Sequence, residues 1–383
     1  MEQLNNMRVG IIAAEFPPDV GGVETYSYEF AKELSRRGYE VTVFTIPHKE
    51  GEISMPGVKI LPILMRDSLY DWEKLKEYIF DKWHVMNAGY VWLAGKVAPV
   101  IVSVVHGNDF LNPYILTERL RFSRLPILWR LETKAPGVQK IINKWLTSRS
   151  IKRWLPKTMH ILVNSLYTEQ ALIKKYPACK GKTVIAYVGV ANDFFAAEHV
   201  YAANDVKRLI TVCRLDEERK NIDLTLRALA GLKDKYRFSY TVIGEGRLRV
   251  GLENLSRELG LEKEVIFTGH LSKDTLKRLY ASSDLFIMTS SVGSKSFEGF
   301  GITYLEANAC GTPVLAARVG GAAEAVKEGI SGMFVENPTV EEIRIALERF
   351  LSGQVKFEPR ACKEFAHQFT WAKIVDKAME FYK

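Results

Sequence analysis

The sequence has little of what staples, anchors or lends metal to a chain. Only four cysteines occur in 383 residues, at Cys179, Cys213, Cys310 and Cys362, far apart and with no Cys-x-x-Cys pair. Neither a zinc site nor a disulfide framework is suggested, and free thiols in a reducing compartment fit the pattern. No apolar run approaches the ~20 residues that cross a bilayer. The run from Val9 to Ala14 is too short for a secretory signal core with its cleavage site, so a cytoplasmic protein is the expectation. The loop Ile243-Gly244-Glu-Gly246-Arg247 lacks the third glycine of a dinucleotide fingerprint, because Leu248 and Arg249 follow and the next glycine is Gly251. An NAD-dependent dehydrogenase is thereby disfavoured. There is no Asp-x-Asp metal motif, no low-complexity tract, no short-period repeat and no recognised nucleic-acid module.

What is present reads as a globular enzyme. Hydrophobic residues make up 47% and charged residues 26%, and the length exceeds what one core serves, so two domains are expected. Short β-branched apolar runs alternate with amphipathic stretches. The strands expected are Arg8–Ala14, Glu40–Ile46, Val58–Ile63, Val100–Val105, His160–Asn164 and Thr183–Val188. After a polar, alanine-rich segment from Ala196 to Asp205, taken as the interdomain linker, the rhythm restarts. The later strands are Arg208–Cys213, Ser239–Ile243, Glu264–Thr268, Asp284–Thr289 and Pro313–Ala316. Helices are expected at Thr25–Arg37 and Ile302–Cys310, among others. Such alternation predicts an α/β chain with two doubly wound parallel sheets, which bind ligands beyond the carboxyl ends of their strands.

Six loops at such strand ends carry candidate site residues. Ser296-Phe-Glu298-Gly-Phe300-Gly301 precedes a helix that contains Glu306, eight positions beyond Glu298. Glycines there let backbone N–H groups approach a ligand, and carboxylates accept hydrogen bonds from hydroxyls. The same spacing also fits a capped helix beside a surface glutamate. Arg214 and Lys220, six apart after a strand, can reach one diphosphate as a fork and a point charge, or lie on a charged surface loop with the three acids between them. Gly21-Gly22 can form a tight turn before a helix, with amides exposed to an anion or as plain chain reversal. His106, in His106-Gly-Asn-Asp109, ends a strand and points to a cleft or plays a structural part. Gly244-Glu-Gly246-Arg247 and Phe267-Thr-Gly269-His270 border further strand ends, where a plain turn competes.

Taken together and in this order, the motifs resemble the retaining glycosyltransferases of family 4. Glu298 and Glu306 match its E-x7-E element, Gly311-Thr-Pro313 its Gly-x-Pro turn, and Arg214 with Lys220 its Arg–Lys pair. The resemblance implies a GT-B fold, two facing Rossmann-like domains with a cleft between them. An acceptor-binding domain is expected over 1–196 and a nucleotide-sugar-binding domain over 206–365, with the C-terminal helix of 366–383 returning to the first. It implies transfer of a hexose-type sugar from a nucleotide diphosphate sugar, the co-substrate, with no further cofactor and no metal. In that reading His106 faces the reacting carbon, Arg214 and Lys220 neutralise the diphosphate, and Glu298 with the Phe300–Gly301 backbone orients the sugar. Glu306 holds the ribose, Gly244, Gly246 and Arg247 border the nucleotide, and His270 lies near the base. Gly21 and Gly22 lie near donor and acceptor, and Asp109 has no covalent role. A nucleotide-sugar epimerase would not be expected to combine E-x7-E with the Arg–Lys pair. An inactive carbohydrate-binding relative would have lost site residues that are all retained here.

One segment stands apart in charge. From Arg119 to Lys157 eleven Lys and Arg side chains face one acid, Glu132, so this stretch carries more than the whole chain's +8 and the remainder is slightly acidic. Val138, Ile141, Ile142, Trp145 and Leu146 recur at helical spacing, with Trp154 and Leu155 beyond. The pattern suits a basic amphipathic helix on an anionic membrane surface, or equally one packed on its own domain with a solvated basic face. The same charge suits a phosphate-bearing acceptor; the acceptors envisaged are a sugar, a lipid-linked group or a small molecule. Nucleic acid is not expected as a partner.

Overall fold

The computed structural model describes residues 7–18, 21–48, 53–104, 108–111, 136–200, 205–293 and 296–382. The chain divides into two compact units, Met1–Val188 with Ile374–Lys383, and Gly189–Lys373.

The first unit is built on a seven-stranded sheet. Its strands are β1 (Arg8–Ile12), β2 (Glu40–Thr45), β3 (Val58–Pro62), β4 (Lys82–Val85), β5 (Val100–Val104), β6 (His160–Val163) and β7 (Thr183–Ile185). They lie in the order β3-β2-β1-β4-β5-β6-β7, every adjacent pair parallel. The order reverses between β1 and β4, which opens a switch point beyond their carboxyl ends. Apolar side chains of β1 and β2 are almost wholly shielded, as expected of parallel strands covered on both faces. The strand β4, Lys-Trp-His-Val, escaped the sequence reading because four residues with a Lys and a His carry no periodic signal.

The second unit holds six parallel strands: β8 (Lys207–Val212), β9 (Phe238–Ile243), β10 (Val265–Gly269), β11 (Leu285–Met288), β12 (Val314–Ala317) and β13 (Gly332–Val335). Their order is β10-β9-β8-β11-β12-β13, so the switch point lies beyond β8 and β11. The unexpected β13 opens on Gly332, whose added Cβ would stand 2.2 Å from the Val314 carbonyl oxygen. A strand-breaking residue type is thus used there for close approach, not for a turn. β11 and β12 are entirely buried, and the core continues into Leu226, Leu229, Ile343 and Leu347 of the covering helices.

The change from one unit to the other falls at Val188–Gly189, ahead of the linker expected at 196–205. The reason is local. Val190 bridges Thr370, the Cys310 thiol reaches the Phe194 carbonyl, and the Val200 amide donates to Ala281 at 2.8 Å. Alanine-rich polarity marked 196–205 as a linker; its described residue Val200 is tied into the second unit, and 201–204 lie outside the described residues. At the other end the expected helix of 366–383 is helix Trp371–Met379, and residues from Ile374 onward belong to the first unit. There Arg37 clasps Asp376 at 2.8 Å, and the buried Tyr382 hydroxyl lies 2.6 Å from His84 Nδ1. Burial drives the His84 imidazole down to about 3, so the ring is neutral in the folded chain.

Candidate active site

The loops leaving β8 and β11 meet at the switch point of the second unit. The loop after β8 closes as the turn Glu218–Lys220, and Asn221 then adopts a left-handed conformation (φ 56°) to start helix Ile222–Ala230. Asn221 is well suited to that role because a short amide side chain tolerates this region. Its Nδ2 donates to the Thr289 carbonyl at 2.6 Å and to Ser291 Oγ at 2.7 Å, while the Ser291 amide donates to the Arg219 carbonyl at 2.7 Å. The two loops are therefore laced together by backbone-directed bonds.

Across that lacing Glu298 meets two cations. Lys220 Nζ donates to Glu298 Oε2 at 2.5 Å, and Arg219 Nη1 lies 3.4 Å from the same oxygen. Arg219 also holds Glu217. Only 12% of the Glu298 and Lys220 side chains and 11% of Arg219 is exposed, so water screens this cluster poorly. Burial by itself would raise the Glu298 carboxyl, but Lys220 and Arg219 outweigh it and hold the group below the usual carboxylate range. Arg214, the expected partner of Lys220, is exposed and makes no ion pair among the described residues. Both line a surface cavity of about 200 Å³ with an apolar wall of Leu215, Ile222, Leu248, Leu252 and Leu255. Arg219 was missed by the sequence reading. Its signal was present as the basic doublet Arg219-Lys220, hidden behind Asp216, Glu217 and Glu218.

The E-x7-E stretch divides as its spacing implied. Glu298 lies in the loop, and Glu306 is the fifth residue of helix Ile302–Ala309. Gly301 turns the chain at φ 96°, where a Cβ would strike the Tyr304 ring at 2.4 Å, so no other residue fits. The Phe300 side chain is buried with its ring 5.5 Å from Phe369, which leaves its backbone as the part able to serve a ligand. Tyr280 donates to Glu306 Oε2 at 3.3 Å; burial pushes the Glu306 carboxyl up to about 7, against that hydrogen bond. Tyr280 had no sequence signal, lying in helix Lys273–Ala281 as an ordinary apolar-face residue.

Gly244 (φ 139°) and Gly246 (φ 154°) are required by sterics. Added Cβ atoms would stand 1.9 Å from the Cys213 oxygen and 2.4 Å from the Leu215 carbon. They press this loop onto the start of the Arg214 loop, where Leu215 donates to the Glu245 carbonyl at 2.8 Å. Arg247 is exposed, its amide bonded to Asp216 at 2.9 Å. His270 is exposed just past β10.

In the first unit Gly22 opens helix Gly22–Arg36, and Gly21 before it is extended (φ 170°, ψ 179°). This corrects the tight turn expected at Gly21-Gly22: Gly21 has extended backbone angles and Gly22 is already helical. His106 lies outside the described residues. Asp109 is buried and accepts the Ala88 amide at 3.2 Å, and burial raises its carboxyl to about 6. It anchors a 3-10 segment, Ala88–Gly95. Of the basic stretch, helix Pro136–Trp154 and the residues that follow it are described, and 119–135 lie outside the described residues. Ile151 and Leu155 are buried and Trp154 lies against Gly95, whereas Ile141, Trp145 and Leu146 are exposed.

Two doubly wound parallel sheets, with paired cations and carboxylates at a switch point, define the GT-B class of glycosyltransferase. Family comparison agrees at both ends: "Glycosyltransferase Family 4" matches residues 20–194 and "Glycosyl transferases group 1" matches residues 196–369. The chain belongs to the family 4 glycosyltransferases. It is 26% identical over 400 residues to a D-inositol 3-phosphate glycosyltransferase of Mycolicibacterium smegmatis, covering 98% of this chain and 90% of that one. Among solved structures it is similar to sucrose-phosphate synthase of Thermosynechococcus elongatus, with TM-score 0.75, 18% identity and 98% of both chains covered. It is also similar to HepE of Anabaena in complex with UDP-glucose, with TM-score 0.70, 18% identity and 98% of both chains covered.

Proposed function

We propose that this glycosyltransferase transfers a hexose-type sugar from a nucleotide diphosphate sugar to an acceptor hydroxyl, with retention and without a metal. The observation that carries the reading is the convergence of Lys220, Arg219 and Glu298 at the switch point of the second unit. Lys220 and Arg214 stabilise the charge that grows on the departing diphosphate, as preorganised cations do best where water is excluded. With protein cations in that role, no metal ion is needed for the leaving group. Glu306 takes the ribose hydroxyls, Glu298 the sugar hydroxyls, and His106 faces the reacting carbon. The UDP-glucose complex of HepE supports a nucleotide sugar as donor, and retention rests on the family resemblance.

The acceptor class is a polar hydroxyl compound, and the inositol phosphate named for the mycobacterial relative supports a phosphate-bearing one. Cell-envelope glycan or glycolipid synthesis is the setting this suggests. The exposed Ile141, Trp145 and Leu146, with Lys144 and Arg149 on the same helix, support contact with an anionic membrane surface. No described helix is long and apolar enough to cross a membrane. The decisive experiment is calorimetric titration with UDP, GDP, ADP and their sugars, followed by transfer assays. Lys220→Ala and Glu306→Ala are expected to lower turnover at least a hundredfold with the thermal transition preserved. Near-normal turnover in either would remove the assignment.

A further inference from the structure

The cation that the donor diphosphate needs is already occupied. Lys220 Nζ sits 2.5 Å from Glu298 Oε2, and Arg219 is shared between Glu298 and Glu217. Two cations and two carboxylates make this cluster neutral, so an arriving diphosphate gains little Coulomb energy until a carboxylate leaves. We propose that Glu298 is a counter-ion latch: it holds Lys220 in the empty site, yields it to the diphosphate, and turns to the sugar.

The latch rests on the donor reading given above and deepens it. Both partners are fixed at the backbone and free only in their side chains. The Glu298 carbonyl accepts the Gly321 amide at 2.8 Å, and Gly320 (φ 61°) packs so tightly that a Cβ would lie 2.7 Å from that oxygen. Lys220 is held from either side, through the Arg219 carbonyl and the Asn221 side-chain Nδ2, to the chain leaving β11. Exchange therefore needs rotation of two side chains and no movement of either loop. Arg214, exposed and unpaired among the described residues, offers the first contact for the incoming phosphates.

The exchange has a directional consequence. A nucleotide sugar compensates Glu298 for the lost ammonium, because sugar hydroxyls donate to the freed carboxylate. A nucleoside diphosphate brings no such donor. Once the sugar has gone to the acceptor, Glu298 competes again for Lys220 and favours release of the spent nucleotide. The same carboxylate thus favours the loaded form over the spent one.

The test is calorimetry on the full chain with UDP, GDP and ADP, comparing wild type, Glu298→Gln and Glu217→Gln. Glu298→Gln is expected to bind the accepted diphosphate about tenfold more tightly, the scale of removing one poorly screened competing charge. Its nucleotide sugar should gain nothing, because a neutral amide accepts from the sugar hydroxyls more weakly than the carboxylate and offsets the gain at the diphosphate. Equal or weaker diphosphate binding by Glu298→Gln overturns the latch and leaves the donor reading intact, as does equal tightening by Glu217→Gln. If wild type binds none of the three, the donor reading fails and the latch with it. Should Glu298→Gln lose its cooperative thermal transition, a crystal structure of wild type with the bound diphosphate decides. Lys220 on a phosphate oxygen supports the exchange, and Lys220 still on Glu298 overturns it.

Discussion

At the scale of single residues the site is a set of charges poised by burial. Glu306 illustrates the consequence for pH. Its carboxyl is raised to about 7 in the empty chain, so near neutrality it is part protonated. Ribose hydroxyls donate to the charged form, so binding must expel that proton below pH 7. Nucleoside diphosphate affinity should therefore rise with pH through about 7 and fall by up to tenfold per unit below it. Calorimetry at pH 6 and 8 checks this, and Glu306→Gln is expected to flatten the dependence while weakening binding. Glu298 and Glu306 were legible because glycines before an apolar helix mark a loop and its helix independently of packing. Arg219 was not, since a basic residue among three acids looks like any solvated loop until Glu298 is folded against it. Phe300 was legible only as backbone, and its buried ring shows why.

At the scale of elements, strands with long β-branched runs were visible in the sequence, and the two omitted ones share a cause. β4 has four residues with a charged start, and β13 begins on a glycine, so each owes its place to neighbours already paired in the sheet. Helix Pro136–Trp154 was expected as one amphipathic unit, and its ends behave differently. The C-terminal end is packed through Ile151 with Leu155 just beyond, while Ile141, Trp145 and Leu146 stand in solvent beside cationic side chains, Arg149 over the Trp145 ring at 5.6 Å. If this face meets an anionic surface, cosedimentation with phosphatidylglycerol vesicles should exceed that with phosphatidylcholine vesicles and weaken with salt. Trp145→Ala with Lys144→Glu is expected to lower it severalfold. Equal binding to both vesicle types would count against the membrane reading.

At the scale of the whole molecule, the two-sheet architecture was legible from the restart of the strand rhythm. Composition placed the linker at 196–205, while the compact units divide at Val188–Gly189, and at the described start of that stretch the Val200 amide donates to the distant Ala281 carbonyl. No local pattern can announce such long-range partners. The return of the chain is equally long-range: Tyr382 is 298 positions from His84 and fully buried against it. Tyr382→Ala should destabilise the first unit by about 3–5 kcal/mol through the lost ring alone. Urea unfolding followed by tryptophan fluorescence measures it, and Tyr382→Phe should recover most of the loss. Because His84 stays neutral down to about 3 when folded but takes a proton below ~6.5 when unfolded, stability contributed by this contact falls as pH drops through that window.

That closing contact also sets an order of events during synthesis. The ribosome delivers the seven strands of the first sheet early, yet the ten residues from Ile374 to Lys383 that complete this unit emerge only after the whole of the second unit. The second unit is contiguous and has every residue it needs before then. The first unit is thus the one that must wait, holding a gap for a segment made after the second unit. Any excised version of it has to carry Ile374–Lys383 with it.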